Sequence, residues 1–227
     1  SPLAGILFGI CSMLSSDLQA TEINPDKPYW QDVQVVSVNK EYPRSSFMTY
    51  DNREKEINGG DYGWVIDQDE EVKALIAAIE SGVTQVREPV YLYSGYSRGT
   101  NDIGSTYVEI DLTNQRLVFY QKGTPIVDTP IVSGNPDIEG CGTPTGCYAL
   151  DAKESPAVLT GEDYEANVTY WMPFAGNVGI HDASWRSEFG GNLYLWEGSH
   201  GCVNVPYDKA AEIYANIEVG MPVVVYE

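Results

Sequence analysis

Two histidines occur in the 227 residues, and both precede one cysteine: His181, and His200 within Ser199-His200-Gly201-Cys202-Val203-Asn204. A thiol becomes a strong nucleophile near neutral pH only beside a base, so this grouping points to nucleophilic cysteine chemistry. An extended segment from His200 to Val205 would put His200, Cys202 and Asn204 on one face and Gly201 and Val203 on the other. Gly201, without a side chain, would let a substrate reach the backbone, where the N–H groups of Gly201 and Cys202 are candidate oxyanion donors. His181 lies twenty-one positions before Cys202, at the end of its own short apolar run. Asp182 and Ser199 each adjoin a histidine and are candidates to orient an imidazole. The intervening segment, with Trp185, Phe189, Gly190, Gly191, Tyr194 and Trp196, can wall a cleft.

Two other readings stay open on the residues alone. Lone cysteines and histidines commonly serve only packing, though three together on polar, glycine-rich stretches fit that poorly. A zinc site would draw on His181, His200 and Cys202, but no Cys-x-x-Cys or His-x-x-x-His accompanies them. No metal and no cofactor are expected.

The elements that must position these groups fall into two regions. Asp67 to Ser81 reads as a helix, with Asp67 and Glu70 as a capping box and Val72, Leu75, Ile76 and Ile79 at helical spacing. Val33 to Val38 and Ser46 to Tyr50 alternate like strands, and Gly59-Gly60-Asp61-Tyr62-Gly63-Trp64 reads as a turn into another. A small α+β domain over 1–104 is expected, closing in the Ser, Gly, Asn and Asp-rich stretch from Tyr93 to Gly104. Beyond it, Tyr107 to Leu112 and Arg116 to Tyr120 form a hairpin. Further strands are expected at Ile126 to Ser133, Gly146 to Leu150, Gly179 to His181, His200 to Val205 and Pro222 to Tyr226, with a helix over Asp208 to Ile217. The whole is mainly β, with residues 105–227 a β-sandwich or partly open barrel carrying one or two short helices. Tyr170, Trp171 and Phe174 are either a lid over the cleft or packing.

Composition narrows the partners. Asp and Glu number 33 against 13 Lys and Arg, so no basic stripe exists to neutralise nucleic-acid phosphates. The acidic surface disfavours anionic membranes and tolerates a cationic amine ligand. No run approaches the roughly 20 apolar residues of a membrane span, and Leu3 to Ile10 lacks the flank of a signal peptide. Of Cys11, Cys141, Cys147 and Cys202, Cys141 and Cys147 bound a turn-rich segment that suits a disulfide outside the cell; Cys202 stays free in either case.

The run Gly179-Ile180-His181-Asp182-Ala183-Ser184-Trp185 with Ser199-His200-Gly201-Cys202-Val203-Asn204 resembles the active-site signature of the L,D-transpeptidases, bacterial enzymes that cross-link peptidoglycan. Thr143-Pro144-Thr145-Gly146 with Tyr148 resembles the family's Thr-Pro-x-Gly motif, and the hairpin at Tyr107 to Tyr120 resembles the opening of its catalytic domain. The resemblance covers about residues 105 to 227. More weakly, residues 1–104 resemble part of a peptidoglycan-binding module that precedes this domain in Gram-positive enzymes. The resemblance implies that Cys202 attacks the third-residue carbonyl of a tetrapeptide stem to form a thioester, with His181 as base and an amine of a second stem as acceptor. His200, Gly201 and Ser199 would form the catalytic nucleophile loop, and Asn204, Trp185, Asp182 and Tyr170 would lie against substrate. It further implies carbapenem-type β-lactams as covalent inhibitors, a role in cell-wall biogenesis and cell shape, and an extracellular, wall-associated location with an N-terminal membrane anchor outside this sequence. L,D-carboxypeptidase activity and a wall-binding protein with a vestigial site are the alternatives.

Overall fold

Residues 107–111 and 116–121 alternate so that Val108 and Ile110, with Leu117 and Phe119, face one way while Glu109 and Asp111 face the other, and the chain turns between them with Gln115 at φ 49°. In the computed structural model, which describes residues 47–81, 87–96, 102–161 and 165–227, this hairpin belongs to the larger of two units. The chain order is β1 (Phe47–Met48), β2 (Glu54–Lys55), β3 (Val65–Ile66), α1 (Gln68–Ser81), β4 (Tyr91–Tyr93), β5 (Tyr107–Asp111), β6 (Arg116–Gln121) and β7 (Thr124–Pro130). It continues with β8 (Gly146–Ala149), β9 (Ala157–Thr160), β10 (Glu165–Val168), β11 (Trp171–Ala175), β12 (Val178–Asp182), α2 (Tyr194–Glu197), β13 (Val203–Val205), α3 (Tyr207–Asn216) and β14 (Pro222–Tyr226). The expected mainly β architecture with few short helices is observed, and its sheets keep open edges rather than closing into a barrel.

Of the described residues, the smaller unit takes in 64–81 and 87–93. Asp67 caps α1, its Oδ1 accepting the Glu70 N–H at 3.0 Å, and Asp69, Glu70 and Glu71 complement the helix N-terminus. The reciprocal half of a capping box is replaced by a Glu70–Lys73 ion pair at 2.6 Å. Glu71 ties the helix to the segment leading into β4, pairing with Arg87 at 2.6 Å and accepting the Val90 N–H at 2.8 Å. The strand expected at Val33 to Val38 and the thiol of Cys11 lie outside the described residues.

Of the described residues, the larger unit takes in 47–63, 94–96, 102–161 and 165–227. Its main sheet has the order β7-β6-β5-β14-β8, with β14 parallel to β5 and antiparallel to β8. Both faces of this sheet are covered, which is why Pro222-Val223-Val224-Val225-Tyr226 is buried throughout. Val223 and Val225 pack with Val108, Ile110 and Phe119 toward a second sheet, β11-β12-β13, and α3. Val224 and Tyr226 turn the other way, onto Phe47, Ile57 and Tyr62. Each such side chain, fully buried, contributes roughly 1.5–3 kcal/mol. The stretch 47–63, upstream of the Tyr93 to Gly104 transition, therefore serves as a cover for the main sheet.

The cover is fastened along the outer edge of β8. Tyr62 N–H donates to the Cys147 carbonyl and Cys147 N–H to the Gly59 carbonyl, both at 3.1 Å, while Asp61 Oδ1 accepts the Ala149 N–H at 2.9 Å. Gly60 sits at φ +84°, and a Cβ there would lie 1.9 Å from the Cys147 carbonyl oxygen. Cys141 and Cys147, which the turn-rich segment between them left open to a disulfide, are not bonded to each other: Cys147 points into the core under the cover, whereas Cys141 sits in the loop before β8. Replacement of Gly60 by alanine combines a positive φ with a backbone clash, so a loss of about 2–5 kcal/mol in denaturant-induced unfolding is expected. Gly123→Ala, at φ +78° with open space around it, should cost only about 1–2 kcal/mol; equal losses would show that the approach to Cys147 is not a constraint.

Candidate active site

The second sheet turns one face to the core and one to the site. Met172, Ile180 and Val203 fill the core side with no exposed surface. In register on the opposite side, Trp171 pairs with His181 across the antiparallel β11–β12 ladder, and His181 with Asn204 across the parallel β12–β13 ladder. Side chains paired in this way share a face. Trp171 and Trp185 rings each stand 5.9 Å from the His181 ring, which is 4 % exposed. His181 Nδ1 is 2.8 Å from the Asp182 carbonyl oxygen. A carbonyl only accepts, so Nδ1 carries the hydrogen and the neutral ring keeps Nε2 as its free acceptor.

Parallel pairing brings the nucleophile candidate to this histidine. Val203 faces Ile180, so Cys202, one position earlier, falls level with Gly179, about two residues or 6–7 Å along β12 from His181. The thiol donates to the Asn177 carbonyl oxygen at 3.6 Å, and Gly179 supplies a backbone hydrogen bond to the sulfur. Cys202 is 8 % exposed.

The loop before Cys202 is bent. The expected strand over His200 to Val205 is confined to Val203–Val205, because Gly201 adopts φ +119°, a conformation that breaks the two-residue alternation. Exposed His200 therefore lies in the bend and does not share a strand face with Cys202. Two hydroxyls hold the bend. Ser199 Oγ donates to the Cys202 carbonyl at 2.5 Å and accepts the Gly201 N–H at 3.1 Å. Thr143 Oγ1 donates to the Gly201 carbonyl at 2.7 Å and accepts the Gly134 N–H at 2.9 Å. Behind them, Ser199 N–H donates to the Ser133 carbonyl at 3.0 Å, and Gln115 is hydrogen-bonded to Ser133 through both its side-chain oxygen and nitrogen.

Several assignments made from sequence change here. The Asp182 carboxylate does not orient the imidazole; its Oδ1 accepts the N–H groups of Thr169 and Tyr170 at 2.8 and 2.7 Å, and the residue's carbonyl is what holds His181. Ser199 serves the nucleophile loop rather than a histidine ring. The Gly201 N–H is taken by Ser199, which leaves the Cys202 N–H as the remaining candidate donor of the expected pair. Tyr170 packs on Tyr207 and Tyr214, at 5.7 and 5.1 Å between rings, and Phe174 is wholly in the core, so neither forms a lid. Asn204 is 2 % exposed with Oδ1 lacking a partner, in line with His181. Sequence reasoning missed Asn177 as a neighbour of the site, placed Thr143 only within a motif, and left Trp171 between lid and packing, where the structure sets its ring against His181. Among the described residues, no group of His, Cys, Asp and Glu is arranged to hold a metal ion.

The YkuD family profile, that of the L,D-transpeptidase catalytic domain, matches residues 105–225. The structure of a cysteine-to-serine variant of the Enterococcus faecium L,D-transpeptidase is 37% identical, with 80% of this chain and 73% of that one aligned and a TM-score of 0.65. The Ldtfm–avibactam carbamoyl enzyme is likewise 37% identical over 82% of this chain and 76% of that one, with a TM-score of 0.66. The catalytic domain of the E. faecium L,D-transpeptidase acylated by ertapenem is 42% identical over 54% of this chain and 98% of that one, at a TM-score of 0.49. No curated protein matches the sequence. The chain belongs to the L,D-transpeptidase family.

The resting electrostatics of this L,D-transpeptidase are those of a buried neutral pair. Burial pushes the Cys202 thiol above its ordinary range, opposed only in part by the Gly179 hydrogen bond. Burial also lowers the His181 imidazole, against the Asp182 carbonyl and carboxylate that favour its charged form. Both shifts oppose a thiolate–imidazolium pair. At neutral pH the cysteine is a thiol and the histidine an uncharged base, so the proton must move as the substrate is attacked. Alkylation of Cys202 by iodoacetamide, which needs the thiolate, should therefore keep rising through and above the ordinary thiol range near pH 8.5. A rate plateau below about pH 7 would reveal a preformed ion pair instead.

Proposed function

We propose that Cys202 is the nucleophile and His181 the general base of a peptidoglycan-cross-linking reaction that proceeds through a thioester. The observation that carries this reading is the parallel β12–β13 register, which sets the Cys202 sulfur beside the strand of an uncharged imidazole whose Nδ1 is fixed and whose Nε2 is open. In the first half-reaction the sulfur adds to the carbonyl of the third, diamino-acid residue of a tetrapeptide stem while His181 Nε2 takes its proton. The resulting oxyanion collapses, the bond to the terminal D-alanine breaks, and the imidazolium returns the proton to the departing amine. In the second, an amine of another stem attacks the thioester, His181 accepts its proton, and the thiol is regenerated. The product joins two diamino-acid positions.

Around this chemistry, Trp185 and Trp171 wall the imidazole, and Asn204 offers an unpaired amide oxygen on the same sheet face. A β-lactam carbonyl is an alternative acyl donor for the same sulfur, so carbapenems acylate Cys202. The wider expectations belong to the same reading: residues 1–104 contribute part of a peptidoglycan-binding module, and the protein works at the extracellular wall of a Gram-positive cell, shaping it, held by a membrane anchor outside this sequence. Among the described residues, no helix is long and apolar enough to cross a membrane.

Mass spectrometry of the protein incubated with disaccharide tetrapeptides should reveal cross-linked dimers, and intact protein should gain the mass of one carbapenem. Release of D-alanine without dimers would make the enzyme a carboxypeptidase, with water replacing the acceptor amine; no adduct and no turnover would mean a vestigial site. Cys202→Ala should abolish both dimer and adduct. For His181→Ala the expected loss in acylation rate is roughly 10²-fold or more, and near-normal turnover would move the base to His200.

A further inference from the structure

An acyl transfer needs a donor aimed at the oxyanion, and the peptide planes around Gly201 restrict where that donor can point. Ser199 Oγ occupies the Gly201 N–H and the Cys202 carbonyl. Thr143 Oγ1 occupies the Gly201 carbonyl at 2.7 Å. The peptide between Gly201 and Cys202 is planar and trans, so a carbonyl held on one side turns the Cys202 N–H to the other. The Thr143 hydroxyl is anchored in turn by the Gly134 N–H at 2.9 Å, and Thr143 is 8 % exposed. Gly134 lies so close that a Cβ on it would sit 2.7 Å from the Gly201 Cα and 1.8 Å from the Cys141 carbonyl oxygen. The Gly201 carbonyl is thus held from a closely packed neighbouring segment.

We propose that Thr143 is a positioning residue for the oxyanion site: by holding the Gly201 carbonyl it sets the orientation of the Cys202 N–H toward the developing oxyanion. The inference rests on the acyl-transfer reading above. Thr143 bonds to the Gly134 N–H and the Gly201 carbonyl, and its effect passes through one peptide plane. Because φ +119° at Gly201 is open to glycine and to few other residues, the clamp also selects one of several conformations the glycine can adopt.

The test separates carbonyl chemistry from simple exposure of the thiol. Carbapenem acylation and tetrapeptide turnover pass through a tetrahedral oxyanion, whereas iodoacetamide alkylation is a displacement at carbon that creates none. Thr143→Val keeps the shape and removes the hydroxyl. It should slow acylation and kcat by about 10-fold or more, since outright loss of an oxyanion donor costs about 10²–10³-fold. Alkylation should stay within about 2-fold of wild type, and Thr143→Ser should restore acylation. Equal losses in alkylation and acylation would reduce Thr143 to a structural role and overturn the inference, as would wild-type acylation by Thr143→Val. A wild-type protein inert to carbapenem and tetrapeptide would instead sink the transpeptidase reading, and this inference with it.

Discussion

Parallel pairing of β12 with β13 is the constraint on which the site depends. Neighbouring parallel strands require a connection that leaves the sheet and returns. Here that connection runs from Ala183 to Cys202 and contains α2. It sets Cys202, just ahead of β13, level with Gly179, about two residues or 6–7 Å along β12 from His181, although the two are far apart in sequence. The same register sends Ile180 and Val203 into the core, so the position of the reactive groups is fixed by the packing behind them. A one-residue slip would exchange the two faces, burying His181 in the core and exposing Ile180, at a cost in desolvation and lost apolar burial that no local gain offsets.

Burial sets the chemistry as much as geometry does. An exposed thiol beside a protonated histidine would be a stronger resting nucleophile, but also open to any electrophile. In this site both groups are held nearly out of water, and the charged forms of both are disfavoured. In the proposed acyl transfer, reactivity then depends on a substrate whose carbonyl accepts the sulfur as the proton leaves, and on the Cys202 N–H to receive the resulting charge. The fixed Nδ1–H of His181 fits that sequence, because it prevents the ring from presenting its wrong nitrogen.

The candidate reactive residues stood out in the sequence because histidine and cysteine are rare in it and their side chains do chemistry that others do not. The β5–β6 hairpin, α1 and α3 were legible for a different reason: their apolar spacing is strong and their turns are marked. What escaped was whatever depends on backbone torsion and on contacts between distant segments. A strand from His200 to Val205 is what alternation suggests, yet Gly201 removes His200 from it. A carboxylate next to a histidine invites a triad, but the Asp182 side chain is drawn to the Thr169 and Tyr170 amides. The β9–β10 hairpin and β11 went unassigned because Pro156, Pro173 and mixed polar residues blur their alternation. Thr143 was visible as part of a motif, but its partner Gly201 is 58 positions away, a pairing that no local pattern encodes.

The main sheet carries a further consequence of having two buried faces. Glu109 and Asp111 alternate with Val108 and Ile110, so they point to the side that the 47–63 segment covers. Both are fully buried, and their hydrogen bonds fasten that cover at a second place, away from the β8 edge. Glu109 Oε1 accepts the Tyr50 N–H at 2.8 Å and the Tyr226 hydroxyl at 2.6 Å, and Asp111 accepts the Arg53 guanidinium at 2.6 Å. Burial raises the Glu109 carboxyl above its ordinary range despite those two donors. A carboxyl whose folded value is raised favours folding most at low pH, and this contribution is lost as pH rises through the folded value. Asp111 is matched by a cation, whereas Glu109 Oε2 has no partner. The polar alternation in β5, which in a one-faced sheet would mark the solvent side, here marks the side that holds the upstream chain.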